Sequence, residues 1–592
     1  MVHHHLSSQF VESFDTHADR IATRIRVGDE WVTQTYDELR RKVEGVAGGL
    51  IVRGIEVGDR VGLFANNCPE WSEVDLGCLF ARAVPVPLYA TSTPDQIRHI
   101  LRDSGAKVLV VGGKSEAERV LAVRDDLPDL GTIVVLQPWD DMPDDLVPYA
   151  DLPATADVDE RLTGASGDEL AAIIYTSGTT GDPKGVMLTH EGMLRQNDAV
   201  NSLFDITPDD HSLSFLPLSH AFERAWTLLV LSGGCMNTYV PNARMVADQM
   251  VLAQPTLMVT VPKLLETVFK TAHAKVASSA AKRAIFTWAF RVGGRLQRAY
   301  RKGKRPSPFW RAQLPLADAL VFTNIRHAMG GQKAVLACGG APLRQEIEEF
   351  FSAAGMLVSQ GYGLTEASPL VSFNSPKGFK FGTTGRVMAG SEVRIGEHGE
   401  ILYRGPNMMA GYWNNPDATA DAIRDGWLHT GDAGYVDNDG YLVITDRIKD
   451  IIVTLGGKNV APQPIEGLVL ADPLFEHAVL LGDNRPSLTL LVRPSLPQLE
   501  ELAARFQWPG GFNEWASHPD FLAEVKRRVA ELTSKLPSHE QVRDTTILTD
   551  EFTMDNGLLT PTLKVKRREV EKRFTELVDA MYARIADRKR DE

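Results

Sequence analysis

Cysteine is scarce in this sequence of 592 residues, positive charge is in deficit, and long apolar runs are missing. The four cysteines (Cys68, Cys78, Cys235 and Cys338) are widely spaced without a Cys-x-x-Cys pair, so they indicate neither a disulfide framework nor a zinc site. No apolar run reaches the roughly 18 residues that a membrane-spanning helix requires. The formal net charge of −14 argues against nucleic acid as a partner.

The first residues, Met-Val-His-His-His-Leu, lack the basic and apolar regions of a signal peptide, and we expect this end to fray. With 43% hydrophobic and 24% charged residues, the composition is typical of soluble globular proteins. The few unpaired cysteines favour a reducing, cytoplasmic location. The sequence is longer than a domain with a single hydrophobic core usually is, so we expect at least two domains.

Short apolar runs such as Ala106-Lys-Val-Leu-Val-Val111 and Thr132-Ile-Val-Val-Leu136 alternate with helical patterns, which predicts layered α/β structure. The pattern restarts after Arg447, with new strand-like runs and a helical period near the C-terminus. The sequence therefore predicts a large N-terminal domain over residues 1–446, composed of several sheet and helix layers. A small α+β domain should follow over residues 447–592.

The most informative stretch is Tyr175-Thr-Ser-Gly-Thr-Thr-Gly-Asp-Pro-Lys184-Gly-Val186, where a strand-like approach opens into hydroxyls, glycines and a lysine. Glycines let backbone N–H groups converge on an anion, while the hydroxyls and Lys184 add donors and charge. The stretch is not a Walker A loop, because Lys184 follows Pro183 and precedes Gly185. It predicts a phosphate-binding loop.

Six further motifs follow in a fixed order along the chain. They are Gly339-Gly-Ala-Pro-Leu343, Gln360-Gly-Tyr-Gly-Leu-Thr-Glu366, Trp427-Leu-His-Thr-Gly-Asp432, Asp446-Arg-Ile-Lys-Asp450, Gly456-Gly-Lys-Asn459 and Pro561-Thr-Leu-Lys564. With these motifs the sequence resembles the acyl-adenylate-forming superfamily from about residue 36 to about residue 573. Within that superfamily it looks like a bacterial long-chain fatty acyl-CoA synthetase. One position departs from the family, which usually has glycine where Leu563 precedes Lys564.

The resemblance implies the acyl-adenylate-forming fold, with a mobile C-terminal domain, and a ligase that uses ATP, Mg²⁺ and coenzyme A. A carboxylate is a poor acyl electrophile, so ATP first converts the fatty acid to an acyl-AMP, and coenzyme A then displaces AMP. By resemblance, the phosphates of ATP would be bound by Thr176, Ser177, Gly178, Thr179, Thr180, Gly181 and Lys184. Glu366, next to Thr365, would hold Mg²⁺ together with Thr176, and oxygen ligands suit that ion.

The nucleoside is expected to bind at four of these motifs. Tyr362, within Gln360, Gly361, Tyr362 and Gly363, resembles the ring that stacks on adenine, although core packing is the alternative for this side chain. Gly339, Gly340, Ala341 and Pro342 would form the close-fitting wall beside adenine and the acyl chain. Asp432 is expected to accept hydrogen bonds from both ribose hydroxyls, and Arg447 is expected to support the ribose side of the site.

Four further residues are implied to act in one or other half-reaction. Lys564 matches the family's adenylation lysine, and Lys449 occupies the position about which the C-terminal domain rotates. Gly457 would line the pantetheine tunnel, where a side chain would obstruct the channel. His220 resembles the histidine near the acyl carboxylate in long-chain enzymes, and a structural histidine is its alternative.

Two other functions remain open at this stage. A fatty acyl-AMP ligase would load a carrier protein and consume little coenzyme A, but such enzymes carry an extra segment. Here Glu366 and Asp432 are only 66 positions apart, which leaves little room for it. A non-catalytic nucleotide-binding or lipid-binding protein on the same fold is the third interpretation, since fold does not determine function.

A basic segment lies at residues 267–317, which contain twelve lysines and arginines and no acidic residue. Within it Ile285, Trp288, Ala289, Val292 and Leu296 fall at helical spacing. One interpretation is a basic amphipathic helix that makes peripheral contact with anionic membrane at the inner membrane face. The alternative is a helix packed on the body with a solvated basic face.

Overall fold

The structure is a computed structural model that describes residues 4–176, 182–301, 303–553, 556–559 and 565–591. The chain divides into two compact units. The larger comprises Met1–Arg394, Leu402–Thr430 and Val436–Val443, and the smaller comprises Ile395–Ile401, Gly431–Tyr435 and Ile444–Glu592. The two short earlier segments of the smaller unit lie within the predicted N-terminal domain, and the boundary at 446/447 stays a prediction.

The first sheet of the larger unit has five parallel strands in the order β4-β3-β5-β6-β7. These strands are β3 (Arg60–Phe64), β4 (Val84–Pro87), β5 (Val108–Val111), β6 (Thr132–Val135) and β7 (Leu146–Pro148). Strands β4 and β5 are buried along their whole length, as expected of parallel strands covered on both faces. The α/β layering predicted from the alternation of short apolar runs with helical patterns is therefore present in this sheet.

The second sheet has nine strands in the order β16-β15-β14-β13-β12-β10-β11-β1-β2. Its strands are β1 (Ile21–Val27), β2 (Glu30–Thr35), β10 (His211–Ser214), β11 (Met236–Tyr239), β12 (Leu257–Thr260), β13 (Val335–Cys338), β14 (Val358–Gly363), β15 (Leu370–Phe373) and β16 (Arg386–Val387). Strands β10, β12, β13 and β14 run parallel, so their carboxyl ends meet at one edge. Ligands bind at such edges in α/β proteins.

The remaining strands that begin before residue 446 form two smaller sheets. A three-stranded antiparallel sheet contains β8 (Leu170–Thr176), β9 (Lys184–Thr189) and β19 (Gly411–Tyr412). A five-stranded sheet contains β17 (Glu392–Ile395), β18 (Glu400–Arg404), β20 (Ile423–Arg424), β21 (Trp427–Val436) and β22 (Leu442–Arg447). The first of these carries the stem of the predicted phosphate loop.

The α-helices of the larger unit begin with proline or with a side-chain cap at many positions, for example the Thr35–Glu38 capping box before α2. They are α1 (Leu6–His17), α2 (Tyr36–Val52), α3 (Pro69–Phe80), α4 (Pro94–Ser104), α5 (Lys114–Leu121), α6 (Val158–Leu162), α7 (His190–Leu203), α8 (Ala221–Ser232), α9 (Val246–Ala253), α10 (Pro262–Ala277), α11 (Ala280–Arg301), α12 (Pro308–Ala317), α13 (Thr323–Ala328), α14 (Gln345–Ala353) and α15 (Pro416–Ala422). A π-helical turn, Asp318–Phe322, joins α12 to α13.

After Arg447, the described residues of the smaller unit form a three-stranded sheet, a two-stranded sheet and six α-helices. Its strands are β23 (Ile452–Val453), β24 (Asn459–Val460), β25 (Phe475–Leu481), β26 (Leu488–Pro494) and β27 (Val542–Ile547). Its helices are α16 (Pro462–Leu470), α17 (Leu496–Phe506), α18 (Phe512–Ala516), α19 (Pro519–Thr533), α20 (Arg567–Arg573) and α21 (Thr575–Asp591). The α/β fold with a larger and a smaller unit is confirmed.

The basic segment is helical, and the structure shows where its apolar residues lie. On α11, Ala289, Val292 and Leu296 are buried in the core of the larger unit, and Phe286, Trp288 and Phe290 pack against that core. The ring of Phe290 stacks on that of Phe350 with 4.7 Å between centroids. The packed-helix alternative is therefore correct for the apolar face of α11. Within the described ranges, no helix is both long and apolar enough to cross a bilayer.

Candidate active site

The stem of the phosphate loop is a β-hairpin. Strand β8 ends at Thr176 and β9 begins at Lys184, and these two residues pair across the antiparallel ladder. Lys184 is exposed and Thr176 half-buried. A Cβ on Gly185 would lie 2.8 Å from Cγ2 of Ile173, so only glycine fits beside the stem. The loop residues Ser177, Gly178, Thr179, Thr180 and Gly181 lie outside the described residues.

Glu366 lies in a 3₁₀ turn, Thr365–Ala367, that contacts strand β9. Its backbone carbonyl accepts from Met409 N at 2.8 Å, and its Oε1 accepts from the hydroxyl of Tyr412 at 2.8 Å. The Nζ of Lys184 lies 5.1 Å from the centroid of the Tyr412 ring. The structure thus brings Lys184 and Glu366 to one aromatic residue, Lys184 near its ring and Glu366 at its hydroxyl.

Tyr412 was not predicted from the sequence as a site residue. It stands here because β19 pairs with β9, with Tyr412 opposite Val186, which joins distant parts of the chain. Burial and the neighbouring Glu366 carboxylate raise the pKa of Tyr412 above its usual range, so the phenol stays protonated and donates to Glu366. No local sequence signal marks this tyrosine.

Glycines shape the edge where β13 and β14 end. A Cβ on Gly339 would lie 3.3 Å from the Phe222 ring, and one on Gly361 would lie 2.5 Å from the Phe373 ring. Gly340 has φ of +80°, a conformation that side chains rarely adopt. Ala341 and Pro342 continue as an exposed rim, and Gly363 is also exposed. Backbone is therefore accessible at this edge, as a close-fitting nucleotide wall requires.

Gln360 and Tyr362 are neighbours on strand β14 and are both more than nine-tenths buried. Within the described part of the chain, Oε1 of Gln360 has no hydrogen-bond partner. A buried polar atom without a partner is costly and rare in native structures, and a ligand is one way to satisfy it. The motif therefore offers an aromatic ring and an unused acceptor beside the glycine wall.

His220 is the N-cap of α8, and its Nδ1 accepts from Phe222 N at 3.2 Å. Because the Phe222 ring borders Gly339, the start of α8 lies beside the glycine wall. Glu223, which follows Phe222 on α8, is fully buried, and its Oε2 accepts a hydrogen bond from Leu216 N at 3.1 Å. Burial raises the pKa of Glu223 to about 8, so this carboxyl is protonated at neutral pH.

The residues predicted for ribose binding and hinge motion lie in the smaller unit. Asp432 is buried, and its Oδ1 lies 3.3 Å from Nε of Arg447. Lys449 is exposed in the 3₁₀ turn Ile448–Asp450. Gly457 has φ of +69° in a tight turn, where its N–H donates to the Thr454 carbonyl at 2.8 Å. Lys564 lies outside the described residues.

The oxygen ligands in the larger unit fit Mg²⁺ bound together with a nucleoside triphosphate. A carboxylate at Glu366 and a hydroxyl at Thr176 are hard oxygen ligands, and Mg²⁺ usually takes one or two carboxylates together with phosphates and water. In the described ranges no group of three or more His, Cys, Asp and Glu residues is arranged to hold a metal.

Residues 10–413 match the family model described as AMP-binding enzyme, and residues 449–586 match the AMP-binding enzyme C-terminal domain. The chain is 35% identical over 559 residues to the long-chain-fatty-acid–CoA ligase FadD15 of Mycobacterium bovis, covering 93% of this chain and 92% of that protein. It is 30% identical over 621 residues to the peroxisomal long chain acyl-CoA synthetase 7 of Arabidopsis thaliana, covering 98% and 87%.

Solved structures are similar in fold. The A domain of carboxylic acid reductase from Segniliparus rugosus, in complex with AMP and a co-purified carboxylic acid, matches with a TM-score of 0.76 at 20% identity, covering 98% of this chain and 94% of that one. The adenylation domain of a carboxylate reductase from Mycobacterium chelonae matches with a TM-score of 0.75 at 22% identity, covering 98% and 91%. These likenesses confirm the fold that the resemblance implied.

Proposed function

Because the chain belongs to the family of AMP-binding enzymes, we propose that it is an ATP-dependent ligase joining a long-chain fatty acid to coenzyme A. The observation that carries this proposal is the similarity to a long-chain-fatty-acid–CoA ligase over 93% of the chain. In the first half-reaction the fatty carboxylate attacks the α-phosphorus of ATP, and pyrophosphate leaves. In the second the thiol sulfur of coenzyme A attacks the acyl carbon, and AMP leaves.

In the first half-reaction the carboxylate and the α-phosphate repel each other, so the site must supply positive charge. We assign Lys184 and the hydroxyls of residues 176–180 to the phosphates, and Glu366 with Thr176 to Mg²⁺. Bound there, Mg²⁺ would neutralise phosphate charge and orient the leaving pyrophosphate. Thr365 fixes the turn that carries Glu366, and Tyr412 orients the Glu366 carboxylate by donating to its Oε1.

The nucleoside is assigned to the aromatic ring of Tyr362 and to the wall at Gly339–Pro342, with Gln360 Oε1 as an unused acceptor. Asp432 is assigned to the ribose hydroxyls and Arg447 to the ribose side. The contact of Arg447 Nε with Asp432 Oδ1 at 3.3 Å supports a common role for these two side chains.

The remaining assignments concern the acyl group and the change between half-reactions. His220 is assigned to the acyl carboxylate, because it opens α8 beside the glycine wall. Lys564 is assigned to the adenylation step and Gly457 to the pantetheine channel. Lys449, which is exposed in a short turn, is assigned to the hinge of the C-terminal domain.

Two assays test the proposed activity. Palmitate-dependent exchange of pyrophosphate into ATP reports acyl-AMP formation, and its absence would leave only a nucleotide-binding or lipid-binding protein. Consumption of free coenzyme A with release of AMP reports the second half-reaction. Exchange without coenzyme A consumption would instead indicate a fatty acyl-AMP ligase that loads a carrier protein. A series of acids from hexanoate to eicosanoate would define the preferred chain length.

The role of Lys564 is tested by separating the two half-reactions. Lys564→Ala should abolish pyrophosphate exchange but largely spare thioester formation from added acyl-AMP, because the lysine should leave the site when the C-terminal domain rotates. Equal loss of both half-reactions would contradict this assignment.

We also propose that residues 267–317 make peripheral contact with anionic membranes, at which a cytoplasmic enzyme would meet long-chain acids. At about 1 kcal/mol per basic side chain near a charged surface, four engaged side chains would raise partitioning about a thousandfold. We expect the protein to co-sediment at low salt with anionic vesicles but not with neutral ones. Binding should be lost when Arg298, Arg301, Lys302, Lys304 and Arg305 are changed to Gln. Binding that ignored lipid charge would contradict this proposal.

A further inference from the structure

Helix α12 and the π-helical turn that follows it carry apolar residues on two faces, one covered by the core and one exposed. The inner face is covered, because Ala317 and Val321 are buried in the core of the larger unit and Trp310 and Leu314 pack against it. These four residues recur at helical spacing, as a single core-facing stripe does. A surface helix normally completes this pattern with polar residues on its outer face.

The outer face instead carries three large apolar side chains, which we call the apolar ridge. Phe309 is 68% exposed, Leu316 is 57% exposed and Leu320 is 49% exposed. They are separated by seven and four positions, which places them on one side of the helix. Single exposed apolar residues are common in proteins, but three aligned along one helix form a patch that indicates an interaction surface.

A row of basic side chains lies on α11, the helix that packs against α12. Arg291, Arg295 and Arg298 are exposed at helical spacing on α11, which packs against α12. The guanidinium of Arg295 lies 5.7 Å from the centroid of the Trp310 ring, so Arg295 contacts α12. In the portion that the structure describes, none of these three arginines forms an ion pair with an acidic side chain. Their charge is therefore available to an external anion.

We propose that the apolar ridge inserts into the surface of an anionic lipid bilayer while the basic row on α11 binds the lipid headgroups. Apolar side chains flanked by cations match the boundary between acyl chains and phosphate groups, whereas an acidic protein surface would match only the cations. The inference rests on the membrane contact proposed above for residues 267–317. It replaces the apolar face of α11, which the core covers, with the outer face of α12 as the inserting element.

The test compares binding to vesicles of equal parts phosphatidylglycerol and phosphatidylcholine with binding to phosphatidylcholine alone. Substituting Phe309→Ser and Leu316→Ser together should weaken binding to the anionic vesicles about tenfold or more, because two buried apolar side chains are lost. The matched control is Leu496→Ser with Phe506→Ser, two exposed apolar residues of α17 in the smaller unit. The control should bind as the unsubstituted protein does.

A fluorescent probe tests insertion directly. A Leu316→Cys variant, in a Cys68→Ser background and labelled with an environment-sensitive dye, should shift to shorter wavelength on anionic vesicles. The dye should also be quenched by lipids brominated on their acyl chains. The other three cysteines are buried and should not label. Vesicle binding without a shift or quenching would overturn the insertion and leave a purely electrostatic contact.

The outcomes separate this inference from the proposals on which it stands. No vesicle binding by the unsubstituted protein would overturn the membrane contact and the insertion together. Unchanged binding by the Phe309→Ser, Leu316→Ser variant would overturn the insertion alone. Ligase activity on a water-soluble acid such as decanoate should be the same in both double variants, so a failure of the proposed activity would be recognised separately.

Discussion

Replacing Tyr412 with phenylalanine removes one hydroxyl from the candidate magnesium site and little else. The hydroxyl donates to Glu366 Oε1 at 2.8 Å, whereas the ring that faces Lys184 Nζ at 5.1 Å would remain. The pairing of β19 with β9 uses backbone atoms and should also be kept. The variant therefore frees the Glu366 carboxylate without changing its charge or its backbone.

The expected magnitude follows from the strength of that hydrogen bond. A hydrogen bond to a charged group contributes about 1.5–3 kcal/mol, and about 1.4 kcal/mol corresponds to tenfold. If the oriented carboxylate is needed for Mg²⁺, Tyr412→Phe should lower kcat/KM for ATP about tenfold and raise the Mg²⁺ concentration that gives half-maximal activity. Glu366 keeps its charge, so saturating Mg²⁺ should restore much of kcat.

The assay is palmitate-dependent pyrophosphate exchange measured across a Mg²⁺ titration. Tyr149→Phe is the matched control, because the Tyr149 hydroxyl donates to the buried Glu73 carboxylate in the same unit. Both variants should lose comparable thermal stability, but only Tyr412→Phe should change the Mg²⁺ dependence. Identical Mg²⁺ titrations for the two variants would refute the positioning role of Tyr412.

Four other substitutions test separate features: three concern the candidate site and the hinge, and the fourth concerns stability. Glu366→Ala should lower kcat about tenfold or more, because it removes charge stabilisation from the transition state. Asp432→Ala removes no such charge stabilisation and should chiefly raise KM for ATP. An unchanged kcat for Glu366→Ala in steady-state kinetics would contradict the assignment of Glu366. Lys449→Pro should stiffen the hinge, sparing pyrophosphate exchange and impairing thioester formation, and normal overall turnover would remove Lys449 from that role. Glu223→Gln concerns stability: because burial raises the pKa of Glu223 from 4.5 to about 8, the unsubstituted protein should lose stability as pH rises through this range, by at most about 1.4 kcal/mol per pH unit. Thermal midpoints between pH 5 and pH 8 should therefore fall less in Glu223→Gln, and parallel curves for the two proteins would contradict a neutral Glu223.

The parts of the site that the sequence predicts are those that depend on local backbone requirements. The run from Tyr175 to Val186 requires two short strands joined by a glycine-rich loop, and the structure has β8 and β9 on either side of it. Gly339 and Gly361 stand where a side chain would meet an aromatic ring, so their residue type reflects a nearby contact. Such requirements leave a trace in a few consecutive residues.

Residues that depend on distant partners left no such trace. Arg224 is buried against Asp75, with Nη2 3.0 Å from Oδ1, and nothing in the sequence near Asp75 indicates this partner. At the N-terminus, the expectation of a frayed end is wrong for His5, which is buried and stacks on His190 with 3.4 Å between ring centroids. His5 also caps α1, because its Nδ1 accepts from Ser7 N. Only the fold brings these pairs together.

The basic segment shows most clearly what periodicity can and cannot establish. Helical spacing on α11 correctly indicated that Val292 and Leu296 share a face, but the same pattern is produced by a core and by a lipid surface. On α12 apolar residues lie on a covered face and on an exposed one, so no single stripe was visible in the sequence, although Phe309 and Leu316 are exposed there. Which apolar face is covered by protein is decided by packing against α14 and the nine-stranded sheet. A membrane contact must therefore be sought on the face that the core leaves uncovered, and in this segment that face belongs to α12.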